Sequence, residues 1–253
     1  MNAAEKYLDA LVFRVRTLLG DELVGVYAGG SYALGGYEPG RSDLDVAVVC
    51  RGTLTRAQKE ELVAALRQES LPCPARGLEL VVYTEATVRS GTADPGYELN
   101  LNTGRRMPFV LSTSPEGEAH WYAIDRAILR EHGVALFGSP PAEVFAPIAR
   151  ELLLERVLES VRWYAAHPET ARDDAVLNAC RALRFVSEGE WSSKPEAGEW
   201  ALTRLRPRAP VAQALAARSG AGVPDRGSVE ALLVDVELRL TRVAASVSSP
   251  SRS

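Results

Sequence analysis

With 253 residues the chain has room for one large domain or two small ones, and 46% hydrophobic with 25% charged residues is an ordinary globular balance. A net charge of −4 with no basic tail or stripe argues against nucleic acid as a partner and suits a cationic one. No apolar run is long enough to span a bilayer and nothing reads as a secretion signal, while the three cysteines (Cys50, Cys73, Cys180) lack metal-ligand spacing, so a cytoplasmic protein with buried thiols is expected.

Residues 4–19 carry Tyr7, Leu8, Leu11, Val12, Val15, Leu18 and Leu19 at helical spacing, and Gly20 is a natural stop. An apolar strand is predicted at 23–28, followed by the turn Gly29-Gly30-Ser31. Eleven residues after Ser31 comes Ser42-Asp43-Leu44-Asp45, which opens a second strand at 44–50. Residues two apart on a strand point the same way, so Asp43 and Asp45 project side by side. Two adjacent carboxylates repel, and Mg²⁺, which takes hard oxygen ligands and shares them with phosphates, relieves that repulsion. The Gly-Gly-Ser turn lets backbone approach a triphosphate, and Ser31 adds a hydroxyl. Together these are the parts of a nucleotidyl transfer site.

A helix at 55–68, opened by a Thr cap, leads to a third strand in Gly77-Leu78-Glu79-Leu80-Val81-Val82-Tyr83. A charge inside so apolar a run is expensive to bury unless paired or metal-bound. Glu79 is therefore expected to meet Asp43 and Asp45 across the sheet, completing the metal site or taking the proton of an attacking hydroxyl. The pattern weakens over 87–115, although 98–103 alternates as a strand would, and Pro115-Glu116-Gly117 reads as an exposed turn. A helix at 120–132 ends at Gly133, and an edge strand at 134–137 precedes Gly138 and Pro140-Pro141. Helical periodicity then dominates, at 148–166, 173–188, 195–205, 210–218 and 228–246. The expected fold is an α/β nucleotidyltransferase domain with a mixed sheet over 1–140, an all-α helical bundle over 141–247 and a disordered Ser-rich tail over 248–253.

The arrangement Gly30-Ser31, ten residues, then Ser42-Asp43-Leu44-Asp45 resembles the signature of the DNA polymerase β-like nucleotidyltransferase superfamily. Three later stretches narrow it: Ile124-Asp125-Arg126-Ala127-Ile128-Leu129, Val176-Leu177-Asn178-Ala179-Cys180-Arg181, and Ser193-Lys194-Pro195 with Glu199-Trp200-Ala201. With them, most of the chain is similar to the aminoglycoside nucleotidyltransferases that adenylylate spectinomycin and streptomycin. That resemblance implies Mg²⁺-dependent transfer of AMP from ATP to an acceptor hydroxyl, with release of pyrophosphate. It implies that Gly30, Ser31 and Ser42 lie against the triphosphate and that Asp43, Asp45 and Glu79 hold two Mg²⁺ ions. Glu79 would be the base, and Arg181 and Lys194 would reach the nucleotide from the helical domain. It also implies a monomer with an acceptor pocket lined by acids and aromatics, for which Trp163, Glu169, Asp173 and Asp174 are candidates.

The chain departs from these enzymes in the middle. Where they carry a Trp-containing segment, it reads Glu98-Leu99-Asn100-Leu101-Asn102-Thr103-Gly104-Arg105-Arg106, so Asn102 and Thr103 offer hydrogen bonds in place of a ring. Three acceptors are thus open: an aminoglycoside or aminocyclitol, another small metabolite, or a protein or tRNA as in toxin–antitoxin nucleotidyltransferases. A silent nucleotide-binding protein is the reading from outside enzymology, and it sits poorly with three retained acids.

Overall fold

The computed structural model describes residues 1–114 and 120–248. The turn predicted at 115–117 and the tail beyond residue 248 lie outside the described residues. The chain divides into two compact units, Met1–Ile148 and Ala149–Ser253.

The first unit opens with α1 (Ala3–Leu19), whose N-terminus is closed by a reciprocal pair: the Asn2 side chain accepts from the Glu5 amide, and the Glu5 carboxylate accepts from the Asn2 amide. Then follow β1 (Leu23–Ala28), the one-turn helix α2 (Gly30–Ala33), β2 (Leu44–Cys50), α3 (Arg56–Leu66), β3 (Leu78–Thr84), α4 (Glu85–Arg89), β4 (Tyr97–Gly104), β5 (Met107–Ser112), α5 (His120–His132), β6 (Val134–Phe137) and α6 (Pro141–Val144). The strands form one mixed sheet in the order β5-β4-β3-β2-β1-β6. β2 and β3 run parallel, joined through α3, while their other neighbours are antiparallel.

Strand alternation divides the sheet into two faces. Leu44, Val46 and Val48 of β2 and Leu78, Leu80 and Val82 of β3 join Leu8, Leu11, Val15, Leu62 and Leu66 in the larger core, under α1 and α3. The residues between them point the other way. Ala47, Val49 and Tyr83 pack with Tyr27, Leu129 and Phe145 in a smaller core, and Asp45 and Glu79 lie on the same face. A register shift between Val82 and Tyr83 lets Leu99 and Leu101 of β4 enter the larger core while Tyr97 joins the smaller one.

The one-turn helices and β5 are not apparent from the sequence pattern. Pro108 argues against a strand, yet β5 is the edge of the sheet, where a missing amide is tolerated; its Phe109, Val110 and Leu111 are exposed. Residues 141–148, which the sequence pattern gives to the helical domain, are part of the first unit. Val144 and Phe145 are buried there, and the Phe145 ring meets Tyr27 edge-on at 5.3 Å.

The second unit contains α7 (Arg150–Ala166), α8 (Arg172–Glu188), α9 (Lys194–Arg204), α10 (Ala209–Arg218) and α11 (Arg226–Ser248). α8 is its buried centre, with Val176, Leu177, Ala179, Cys180, Leu183 and Phe185 inside, and it packs on α7, α9, α10 and α11. Left-handed Gly189 ends α8, and Trp191 then stacks on Phe185 at 3.9 Å. All three thiols are free and buried; burial pushes Cys50 and Cys180 each up to about 12. No helix among the described residues is long and apolar enough to cross a membrane.

Candidate active site

The site begins at the end of β1, where the Gly29 amide donates to the Asp45 carbonyl at 2.9 Å and sets the Gly-Gly-Ser turn against β2. Gly30 has φ +49°, and a Cβ there would stand 1.7 Å from Asp45 Oδ2, so the turn approaches the carboxylate as only glycine allows. Ser31 Oγ is buried and has no hydrogen-bond partner among the described residues. A buried hydroxyl is seldom left unmatched, and a phosphate oxygen would match it. Ser42 is engaged differently. Its Oγ accepts from the Glu38 amide at 3.0 Å, within the turn that leads into β2.

The parallel pairing of β2 with β3 places Asp45 directly beside Glu79. The antiparallel ladders extend that row to Asn102 on β4 and Val110 on β5. Thr103, next to Asn102, points into the opposite face. It is buried, and its Oγ accepts from the Gln68 amide at 2.9 Å, so it offers nothing to a ligand. Of the two arginines in the β4–β5 turn, Arg106 is turned back to the Gly40 carbonyl.

Two participants are not singled out by the sequence pattern. Arg76, just before β3, brings Nη2 to 2.5 Å from Asp43 Oδ2 and 3.5 Å from Glu79 Oε1. Asp125, exposed on α5, adds a fourth negative charge to the neighbourhood of Glu79. Burial first, then the charges of Asp43, Asp45 and Asp125, hold the Glu79 carboxyl well above the usual carboxylate range, with Arg76 pulling the other way. The sequence signal for Arg76 is an arginine three residues ahead of a strand carboxylate. For Asp125 it is an acid on the face of α5 that carries Tyr122 and Leu129.

An all-carboxylate donor set beside an unmatched hydroxyl has the chemistry of a hard divalent cation with a phosphate ligand. Among the described residues, however, no three His, Cys, Asp or Glu side chains are gathered closely enough to hold a metal as they stand. Arg76 supplies the positive charge between Asp43 and Glu79.

The remaining predicted residues lie in the second unit. Lys194 Nζ donates to Asp174 Oδ1 at 2.7 Å, so a predicted phosphate contact and a predicted acceptor contact are bonded to each other. Arg181 Nη1 donates to Asn178 Oδ1 at 3.2 Å, and Asn178 Nδ2 donates to the Tyr164 hydroxyl at 2.6 Å. Asp174, Asn178 and Arg181 fall on one stripe of α8, spaced four and three residues apart. Asp173 is buried in the first turn of α8, Glu169 is exposed, and Trp163 stacks on His167 at 4.3 Å. At the start of α9, Pro195 has no amide proton and the Glu196 amide donates to Ser193 Oγ, so an anion there would depend on the Lys194 side chain.

Known proteins share this organisation. A family model described as nucleotidyltransferase domain matches residues 8–90, and one described as the C-terminal domain of aminoglycoside adenylyltransferase matches residues 143–244. The aminoglycoside (3'') (9) adenylyltransferase of Klebsiella pneumoniae is 27% identical over 208 residues, covering 78% of this chain and 78% of its own. The spectinomycin 9-adenylyltransferase of Staphylococcus aureus is 27% identical over 199 residues, covering 76% of this chain and 75% of its own. Among solved structures, the spectinomycin adenyltransferase AAD(9) from Enterococcus faecialis, determined with ATP and spectinomycin, superposes with a TM-score of 0.73 at 17% identity, over 93% of this chain and 98% of that one, and so shares the fold. The chain thus carries a nucleotidyltransferase domain followed by the C-terminal domain of the aminoglycoside adenylyltransferases, and it is a nucleotidyltransferase.

Proposed function

We propose that the protein transfers AMP from ATP to a hydroxyl of an aminoglycoside or aminocyclitol antibiotic and releases pyrophosphate. The observation that carries this reading is the row Asp45–Glu79–Asn102, with Asp43 linked to Glu79 through Arg76 and the Gly30-Ser31 turn against Asp45. In this reading Asp43, Asp45 and Glu79 would hold Mg²⁺, which, when bound, supplies charge neutralisation for the reacting phosphates. Ser31 donates its unmatched hydroxyl to a phosphate oxygen, and Gly30 admits the polyphosphate beside Asp45. The acceptor oxygen attacks the α-phosphorus as the bond to the β-phosphate oxygen breaks. Glu79 takes the hydroxyl proton. Ser42, Arg181 and Lys194 complete the nucleotide contacts, while Trp163, Asp173, Asp174 and Asn102 contact the acceptor. A small, cationic, hydroxylated acceptor suits a chain of net charge −4. A monomeric state and a cytoplasmic location belong to the same reading.

The test is pyrophosphate release from ATP and Mg²⁺ over a panel of spectinomycin, streptomycin and hygromycin-type acceptors, with Asp45→Asn as the blank. Release with at least one drug, absent from the blank, is the expected result. ATP binding without release for any drug would sink the antibiotic acceptor and leave a metabolite, protein or RNA in its place.

A further inference from the structure

Arg76 is held in place by its backbone. Its amide donates to the Ser42 carbonyl at 2.9 Å, and the next residue, Gly77, accepts from the Leu44 amide at 2.9 Å. Gly77 itself is wedged: a Cβ there would stand 2.8 Å from Met107 Sδ and 2.9 Å from the Thr103 carbonyl oxygen. The origin of the side chain is thus fixed against β2 and β4, and from there it spans Asp43 at 2.5 Å and Glu79 at 3.5 Å. The Arg76 side chain is 43% exposed, against 22% for Asp43, with Nε buried, so the outer end of its guanidinium has a way to solvent.

We propose that Arg76 is a built-in counter-cation of the catalytic carboxylates, one that competes with a divalent metal for Asp43 until a nucleotide arrives. This rests on the metal assignment made above. A guanidinium and a divalent ion on one carboxylate repel each other, which holds metal affinity down while no polyphosphate is bound. The triphosphate brings enough negative charge for both cations to be accommodated. Metal therefore enters with the nucleotide. Arg76 is a positioning residue in this scheme, since it acts through Asp43.

The test is a Mn²⁺ titration read from the electron paramagnetic resonance signal of free Mn²⁺, with and without ATP and with no acceptor present, the ATP titrations referred to Mn²⁺ and ATP without protein so that only protein-dependent binding is counted. Arg76→Gln is expected to bind Mn²⁺ without ATP about tenfold more tightly than wild type, and with ATP within about threefold of it. Arg76→Lys keeps the charge and is expected to stay within about threefold of wild type in both conditions. Equal affinities of Arg76→Gln and wild type without ATP would overturn the proposal. So would a gain that survives the added change Asp43→Asn, or a gain in Arg76→Lys equal to that in Arg76→Gln. Because no acceptor takes part, these results are independent of whether an antibiotic is the substrate. Absence of Mn²⁺ binding even with ATP would remove the metal assignment and the proposal together.

Discussion

Glu79 shows how a single residue carries both a functional and a stability argument. Its carboxyl is held above the usual range, so the folded protein keeps that proton to a higher pH than the unfolded chain does. Below the unfolded pKa of about 4.3 the group is protonated in both states and costs nothing. As pH rises toward the folded pKa, the unfolded chain releases the proton first and stability is lost. Glu79→Gln removes that loss. In EDTA and without nucleotide, the variant should melt with wild type at pH 4 and above it at pH 8. The gain should be at most a few degrees, since the side chain is 37% exposed and solvent screens its neighbours. Turnover should fall about 10²–10⁴-fold, the usual contribution of a positioned base. A variant that melts below wild type at pH 8 would show that contacts to Arg76 outweigh the repulsion.

At the scale of elements, the parallel pairing of β2 with β3 builds the row of side chains across the catalytic face. Asn102 is third in that row, two strands from Asp45. Asn102→Ala should raise the KM for the acceptor about fivefold, the worth of one hydrogen bond, with ATP affinity unchanged. An unchanged acceptor KM in a steady-state assay would remove Asn102 from the acceptor contacts. The same row marks what the sequence makes legible. Asp43 and Asp45 stand out by their spacing at the start of an apolar strand and Glu79 because it interrupts one, and the position of Asn102 follows from alternation. Thr103 looks equivalent to Asn102 in sequence, yet alternation turns it to the core. β5 is hidden by Pro108, which weakens a strand signal although an edge position tolerates it. Arg76 escapes because its partners are thirty-three residues away at Asp43 and three away at Glu79, and only pairing of the strands makes the first of these a neighbour.

For the whole molecule, the division after Ile148 assigns the acids and the Gly-Ser turn to the first unit, and Arg181 and Lys194 to the second. The first unit has its own two cores and a complete six-stranded sheet. Residues 1–148 expressed alone should therefore fold, with a cooperative thermal transition by circular dichroism, and, on the proposal that Arg181 and Lys194 contact the nucleotide, should bind ATP about tenfold or more weakly than the full chain. Undiminished ATP affinity in the isolated unit would exclude Arg181 and Lys194 from the nucleotide site.

The buried thiols carry a practical consequence. Thiolate, the reactive form, is suppressed at Cys50 and Cys180 by burial, and Cys73 is shifted the same way. The native protein should therefore ignore maleimides at neutral pH. A cysteine introduced at exposed Phe109 and another at exposed Leu238 would then be the addressable pair, one on each unit. Two fluorophores attached there would make a ruler already fitted to the molecule, able to follow one unit against the other as nucleotide and acceptor are added in turn.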